Sequence, residues 1–333
     1  MLNKKKTYLV LGSNSFSGSN FINYLLSKKC KVIGISRSNE IKKEFLPYKN
    51  NLNSKLFFFK KVDINKDISK LIKIIKKYKP SVTINYIAQG MVAESWVNPE
   101  HWYRTNVVSQ VLLYKELAKF KFIKKFIHVT TPEVYGSTPK LVKENFNFKP
   151  STPYAISRAT LDTHLKKLFQ NYKLPVIFTR TANVYGPGQQ LFRIIPKAFM
   201  CSRKKIRLML HGGGKSLRSF IYISDVSKAT YMISKRGRVG ETYHISTNQF
   251  ITIKKLVQKI ALLQKVSFKK LCKIDSDRVG KDHYYKLDSS KIRKKFNWRP
   301  CININEGLLL TKNWIDNNFK NFKNLDIKYK HKK

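Results

Sequence analysis

The sequence has 333 residues, of which 42% are hydrophobic and 26% charged, close to the roughly 45 and 25% of ordinary globular chains. These values exclude collagen-like, mucin-like and wholly disordered chains, and the length suffices for one large α/β domain or two smaller ones. The 67 Lys and Arg residues outnumber the 19 Asp and Glu, and the resulting net charge of +48 would suit an anionic partner.

Short apolar runs alternate with stretches of helical periodicity, which predicts βαβ units. Strands are predicted at residues 8–11, 32–35, 56–59, 82–86, 126–130 and 176–179. Helices are predicted after residues 17 and 66 and through 102–120 and 154–172. This order is typical of a doubly wound parallel sheet, so we assign residues 1–182 to an NAD(P)-binding Rossmann domain.

The alternation of strands and helices becomes less regular from residue 183, where Gly-Pro-Gly and Gly-Gly-Gly stretches separate short elements. We predict a smaller C-terminal α/β lobe for substrate, made of residues 183–223 and 248–318. A helix and strand within 224–247 are expected to return to the first sheet. Residues 319–333 are rich in Lys and Asn and have no period, which predicts a basic, disordered tail.

The first predicted strand runs into a loop that begins at Gly12 and ends at Gly18, just before a helix. In a dinucleotide-binding fold this turn lets the backbone approach the pyrophosphate. Ser15 stands where the three-glycine form of the motif has its middle glycine, and Phe16 follows it. The alternative is an ordinary Gly/Ser turn.

The second predicted strand ends in Ser36 and Arg37, with no carboxylate at its tip to bind an NAD ribose. An arginine there suits a 2′-phosphate and favours NADP over NAD, the alternative being a solvated arginine. Asp63 and Ile64 follow the third strand, where Asp63 could touch adenine or cap the next helix. Ala88, after the fourth strand, is a further expected cofactor contact.

The fifth predicted strand ends in a block from Thr131 to Gly136 that contains Glu133, at the edge of the sheet where ligands bind. Further on, Tyr154 and Arg158 stand one helical turn apart on the same face. A neighbouring cation favours the phenolate, which could remove a hydroxyl proton during hydride transfer.

The chain resembles the extended short-chain dehydrogenase/reductases over about residues 7 to 315, and within them the nucleotide-sugar 4,6-dehydratases of the dTDP-glucose type. The Tyr-x-x-x-Lys pair of that family appears as Tyr154 and Arg158, and its Thr-Asp-Glu-Val-Tyr-Gly block as 131–136. Other similar stretches are Asn-Val-Tyr-Gly-Pro at 183–187, Arg-Ser-Phe-Ile-Tyr-Ile-Ser-Asp at 218–225, Gly-Glu-Thr-Tyr-His-Ile-Ser at 240–246 and Asp-Arg-Val-Gly-Lys-Asp at 277–282.

The resemblance implies transient oxidation at C4 of a nucleotide-diphosphate hexose, loss of water across C5 and C6, and return of the hydride to C6. Tyr154 would take the C4 hydroxyl proton, Thr131 would hold the sugar and Glu133 would remove the C5 proton. The resemblance also implies substrate contacts from Asn183 and from three arginines that could clamp the diphosphate, Arg193, Arg218 and Arg278. Two long helices resemble those that form a homodimer interface in relatives.

Three departures from the family pattern matter. Pro132 replaces an acidic Asp, so the leaving hydroxyl must be protonated by Glu133 or by water. Arg158 replaces Lys, which keeps the charge but not the compact ammonium that binds the nicotinamide ribose. Gln89 begins a Gln-Gly-Met-Val stretch where those dehydratases carry Glu-Ser-His-Val, which alters the sugar contact.

A C4 epimerase or a decarboxylase of the same family is the first alternative, although simple C4 epimerisation needs no C5 base. A degenerate nucleotide-sensing or nucleic-acid-binding protein is an alternative of another class. The lysines are spread over nearly every predicted helix, which indicates biased coding, and nucleic acid is not expected as a partner. Four distant cysteines and the lack of ~18 uninterrupted apolar residues favour a cytoplasmic protein with no membrane partner and no metal site.

Overall fold

The computed structural model describes residues 6–276 and 282–332. Its strands, in chain order, are β1 (Thr7–Leu11), β2 (Lys31–Ser36), β3 (Phe57–Lys61), β4 (Val82–Asn85), β5 (Lys125–Thr130), β6 (Val176–Thr181), β7 (Asn183–Tyr185), β8 (Leu208–His211), β9 (Leu217–Arg218), β10 (Phe220–Tyr222), β11 (Thr242–Ile245), β12 (Ile251–Thr252) and β13 (Cys272–Asp275).

The α-helices of the same residues are α1 (Phe16–Ser27), α2 (Ile68–Tyr78), α3 (Pro99–Tyr103), α4 (Ser109–Leu117), α5 (Pro153–Tyr172), α6 (Ile194–Arg203), α7 (Ile223–Arg236), α8 (Ile253–Leu263), α9 (Phe268–Leu271), α10 (Ser290–Phe296), α11 (Ile304–Asn317) and α12 (Phe319–Phe322). Short 3-10 turns join several of them.

Seven parallel strands form the main sheet in the order β11-β6-β5-β4-β1-β2-β3. The strand β1 is buried on both faces, with Tyr8 and Val10 in one apolar core and Leu9 and Leu11 in the other. Helices α1 and α7 contribute to the first core, whereas α2, α4 and α5 contribute to the second. A strand covered on both faces reads as a continuous apolar run, which is why the sequence predicts this doubly wound sheet correctly.

The prediction of one continuous helix over 102–120 is wrong, because the segment is divided into α3 and α4. Between α3 and α4 the backbone adopts a π-helical turn at Arg104–Val108, a feature that is frequent near functional sites. The turn brings the buried Asn106 side chain to the backbone of Gln89, donating to its carbonyl and accepting from its amide at 3.1 and 2.8 Å. Asn106 also donates to the hydroxyl of Ser157 at 3.0 Å, so one side chain ties the segment after β4 to α5.

The smaller lobe contains α6, α8, α9 and α11, together with the parallel pair β8 and β13. Its apolar side chains continue the core that covers one face of the main sheet. The strand β11 lies beside β6, so the chain returns to the main sheet after α7. The cleft between sheet and lobe therefore lies next to the carboxyl ends of β1, β4, β5 and β6.

The prediction of a disordered tail is wrong over residues 319–332, where the chain is ordered and partly packed against the core. Phe322 is fully buried, and its ring lies 5.2 Å from Phe45 and 5.0 Å from Trp314. Leu325 and Ile327 pack against the same core. The apolar residues of this segment follow no regular period, so periodicity does not reveal them, but each finds an apolar partner provided by distant elements.

None of the helices between residues 6 and 276 or between 282 and 332 combines the length and apolar character needed to cross a membrane.

Candidate active site

A cavity of about 740 Å³ opens at the carboxyl edge of the main sheet, facing the smaller lobe. It brings together residues that the sequence places far apart. The predicted residues that line it are Ser15, Phe16, Arg37, Ala88, Thr131, Glu133, Tyr154, Arg158, Asn183, Arg193 and Arg218. Gly12, Gly18, Ser36 and Ile64 do not line it, and Arg278 lies outside the described residues.

The loop between β1 and α1 is built for close backbone approach. Gly12 has φ +81°, a conformation that L side chains rarely adopt, and its amide donates to the carbonyl of Ile35 at 2.8 Å. A Cβ on Gly18 would overlap the carbonyl oxygen of Gly12. Ser15 needs no glycine conformation because its hydroxyl caps α1, accepting from the Gly18 amide at 3.0 Å. The first turn of α1, with Ser15, Phe16 and Ser17, lines the cavity, and a helix N-terminus at that position favours an anion.

Arg37 lines both this cavity and a smaller adjoining recess, which also contains Asp63. The expectation that Asp63 caps the following helix is wrong, because α2 begins later and is capped by Asp67, whose carboxylate accepts from the Lys70 amide at 2.8 Å. Asp63 instead accepts from the Asn65 amide at 2.9 Å and closes a local turn.

The segment after β5 forms a 3-10 turn, Pro132–Tyr135, that presents Glu133 to the cavity. Thr131 caps the turn, its hydroxyl accepting from the Glu133 amide at 3.3 Å. Pro132 occupies the first position of the turn, where a proline loses no hydrogen bond, so the fold tolerates the missing acid. Burial raises the pKa of Glu133, an effect that Arg218 and Arg193 oppose and Asp282 reinforces.

Tyr154 and Arg158 of α5 both reach the cavity, as their spacing predicts. The phenolate is nevertheless not favoured in the protein alone: burial and the nearby Glu133 raise the pKa of Tyr154 to about 12, although Arg158 and a hydrogen bond with Thr131 act to lower it. The sequence shows the cation but not the desolvation or the opposing carboxylate. Lowering the pKa of this phenol therefore requires more positive charge than Arg158 supplies.

A buried polar network beneath Arg158 was not apparent from the sequence. Arg158 is 1% exposed and donates to the carbonyl of Val129, and His128 lies next to it. Asp162, one turn further along α5, forms an ion pair with Arg180 at 2.9 Å and contacts His128 at 3.2 Å. Burial lowers the pKa of His128 to about 4, so this ring is neutral near pH 7. The only signal in the sequence is that Asp162 stands at i+4 from Arg158.

The guanidinium of Arg158 supplies a direct test of cofactor fit. Its Nε and Nη1 have no hydrogen-bond partner among the described residues, although the side chain is buried and lines the cavity. Buried, unpaired N–H groups carry a large desolvation cost unless a ligand oxygen meets them. The hydroxyls of a nicotinamide ribose offer such oxygens, and the α1 amides suit a pyrophosphate, so the residues present fit a nicotinamide dinucleotide.

The opposite wall of the cavity carries the arginines expected for substrate. Arg218 is held by the carbonyls of Asp282 and His283 at 2.6 and 2.9 Å, and its guanidinium lies 4.1 Å from the ring centre of Tyr285. Arg193 is near the carbonyl of Gly90 at 3.5 Å. These contacts fix two cations on the lobe side, where they can meet a diphosphate.

A dinucleotide loop, a Tyr/Arg pair on a long helix and a carboxylate after the fifth strand define an extended short-chain dehydrogenase/reductase. The sequence profile described as GDP-mannose 4,6 dehydratase matches residues 9–311, and the chain belongs to that family. A dTDP-glucose 4,6-dehydratase from Xanthomonas campestris pv. campestris (strain B100) is 28% identical over 334 residues, covering 92% of each chain. The dTDP-D-glucose 4,6-dehydratase of Homo sapiens is 32% identical over 254 residues, covering 74% of this chain and 72% of the human protein.

Solved structures agree with this family assignment. DesIV, a dTDP-glucose 4,6-dehydratase from Streptomyces venezuelae with NAD and TYD bound, superposes with a TM-score of 0.88 at 26% identity, covering 94% of this chain and 98% of DesIV. The dTDP-glucose 4,6-dehydratase of Bacillus anthracis str. Ames, in complex with NAD, superposes with a TM-score of 0.83 at 29% identity. The match covers 95% of this chain and 98% of the Bacillus protein. The predicted family is thereby confirmed, and the bound NAD of these relatives supports a nicotinamide dinucleotide here.

Proposed function

We propose that this protein is a nucleotide-sugar 4,6-dehydratase of the dTDP-glucose type, which converts a nucleotide-diphosphate hexose to its 4-keto-6-deoxy form. One observation carries the proposal: a single cavity holds Tyr154 and Glu133 between a dinucleotide loop and the lobe arginines. A C4 oxidation needs only the tyrosine, whereas elimination across C5 and C6 also needs the carboxylate.

In the first step Thr131 and Tyr154 hold the C4 hydroxyl, and Tyr154 takes its proton. A bound nicotinamide dinucleotide would supply the hydride acceptor, and its oxidised form would add positive charge beside the phenol. That charge would act with Arg158 against the burial that raises the pKa of Tyr154 to about 12. Arg158, whose Nε and Nη1 have no partner among the described residues, would hold the ribose of that dinucleotide.

In the second step Glu133 takes the C5 proton, which the new C4 ketone has made acidic. Because Pro132 has no proton to give, Glu133 then passes this proton to the departing C6 oxygen, so one carboxylate serves as base and acid. Burial raises the pKa of Glu133, which suits a group that must hold the proton before releasing it. On return of the hydride to C6, C5 would take a proton from solvent through Glu133, and Tyr154 would release the C4 proton to solvent, so that the product keeps its C5 hydrogen and one water is lost in total.

The test of this proposal is the mass of the products formed from a panel of nucleotide sugars that includes dTDP-glucose and GDP-mannose. We expect a product lighter by one water that reacts with carbonyl reagents. An isomer of unchanged mass would instead identify an epimerase, and loss of carbon dioxide from a uronate would identify a decarboxylase.

The choice between the two dinucleotides depends on Arg37, and we propose that the site favours NADP. The guanidinium lies at the rim of the cavity with no carboxylate at the end of β2. Arg37→Asp should weaken NADP at least tenfold relative to NAD, by roughly the 1.4 kcal/mol or more of a lost charge-assisted bond. Calorimetry with both dinucleotides measures this ratio, with Arg238→Asp as the matched control, because Arg238 is exposed in the loop before β11 and lines neither the cavity nor the recess. A wild type that prefers NAD and an unchanged ratio would contradict the assignment.

We also propose a cytoplasmic homodimer. All four cysteines, each within the described residues, are free, which suits a reducing compartment. Val108, Leu112 and Ile156, at the start of α4 and on α5, are 53, 50 and 39% exposed, and such an apolar face suits a second copy of the chain. Nucleic acid and membranes are not proposed as partners.

A further inference from the structure

The tail segment, residues 323–332, crosses the cleft from the smaller lobe to the cofactor side of the main sheet. It leaves the lobe at the buried Phe322, and the carbonyl of Leu325 accepts from the Lys204 ammonium at 3.1 Å. Tyr329 then lines the cavity, with its ring edge-on to Phe192 at 5.2 Å. The segment is therefore attached along its length and passes over the opening of the site.

His331 provides the strongest attachment on the far side of the cleft. Its ring stacks on both His101 and Trp102 at 5.0 Å, and its Nε2 lies 2.8 Å from Nδ1 of His101. Burial and the neighbouring His101 and Arg37 lower the pKa of His331, which favours the neutral ring in this seat. A stacking contact with Trp102 and a hydrogen bond with His101 define a specific seat for this side chain.

The carbonyl of Lys332 accepts two hydrogen bonds from cavity residues. Gln89 donates from its side-chain amide at 2.7 Å, and Arg37 donates from its guanidinium at 3.3 Å. Both donors line the cavity, and Arg37 stands at the end of β2, the position that contacts the adenosine ribose in dinucleotide folds. Because Gln89 and Arg37 share one acceptor, Gln89 lies beside the cofactor end of the cavity, and a backbone oxygen of the chain occupies donors there that a ribose hydroxyl or phosphate oxygen could use.

We propose that the tail segment is an autoinhibitory strap that competes with the nicotinamide dinucleotide for Arg37 and Gln89. The proposal rests on the proposed function, in which this cavity binds that dinucleotide. Cofactor entry requires the Lys332 carbonyl to leave its two donors and His331 to leave its stacked seat. If the strap is closed nine-tenths of the time, the apparent affinity for the dinucleotide falls about tenfold.

The experiment measures binding of NAD and, in parallel, NADP by calorimetry for the full chain and two variants. The first variant ends after Ile327, which keeps the packed part of the tail. The second is His331→Ala, which loosens the strap but retains every lysine. The truncation also removes lysines that attract the cofactor's phosphates, and this second variant separates that effect from the loss of competition. Both should bind the dinucleotides about tenfold more tightly than the full chain.

The matched control is Lys330→Ala, because Lys330 is exposed and pairs with Asp326 of the same segment at 3.2 Å. This variant removes one positive charge from the strap without changing the contacts of His331. Its affinity for the dinucleotides should stay within about twofold of that of the full chain. Trypsin supplies a second measurement: saturating NAD should speed cleavage after Lys328 and Lys330 in the full chain.

Dinucleotide binding that is unchanged or weaker in both variants would show that the segment does not compete with the cofactor, and would overturn the strap. Slower trypsin cleavage of the tail in the presence of NAD would show that the segment covers a bound cofactor, and would overturn the strap as well. Absence of dinucleotide binding in the full chain and in every variant would overturn the proposed function together with the strap. Tight binding by the full chain with no gain in the variants would overturn the strap alone.

Discussion

Tyr154→Phe should abolish reduction of the nicotinamide when the enzyme is mixed with its nucleotide sugar. The substitution keeps the ring but removes the only group proposed to take the C4 hydroxyl proton, so the hydride cannot leave as the ketone forms. We expect a loss of at least about a thousandfold, between the hundredfold and ten-thousandfold typical of general bases. The absorbance of the reduced nicotinamide after rapid mixing measures the rate of this reduction.

The wild type should show a matching pH dependence. Because the pKa of Tyr154 is raised to about 12 before the cofactor binds, the phenol is protonated near neutral pH and its deprotonated fraction grows with pH. Nicotinamide reduction should therefore accelerate as pH rises and level off below that value, at the pKa that the phenol has beside the oxidised cofactor, and Tyr154→Phe should not respond. Tyr172→Phe, an exposed tyrosine at the far end of the same helix α5, is the control and should behave as wild type. Reduction within tenfold of wild type in Tyr154→Phe would remove Tyr154 as the base.

Glu133→Gln should separate the two halves of the reaction. The amide keeps the size of the side chain, and Tyr154 still permits C4 oxidation, so reduced cofactor should accumulate. Removal of the C5 proton should then slow by roughly a hundredfold or more, because an amide cannot accept it. Product mass reports the loss of water, and deuterium exchange at C5 in heavy water reports the proton removal itself.

Glu116→Gln on the surface of α4, where Glu116 pairs with Lys119 at 2.7 Å, is the control for the same chemical change. It should dehydrate at the wild-type rate. If Glu133→Gln also did so, Glu133 would not be the base, and Asp282 would be the next cavity carboxylate to test. With Pro132 beside Glu133, the turn after β5 would then hold no group for dehydration.

The sequence by itself determined the main sheet and much of the site. Buried parallel strands read as apolar runs, and the loop from Gly12 to Gly18 follows directly from one of them. Tyr154 and Arg158 are one turn apart on one helix, so their common face needs no tertiary information. These features depend on neighbours within a few residues, which is the range over which periodicity and spacing operate.

Only the tertiary structure decided how these groups behave. The raised pKa of Tyr154 comes from burial and from Glu133, two contributions that act through space. The seat of His331 is formed by residues about 230 positions away, as its contact with His101 shows. Irregularly spaced apolar residues in the tail carry no period of their own, so their order arises from partners that the fold alone brings near, because contact energies depend on distance in space and not along the chain.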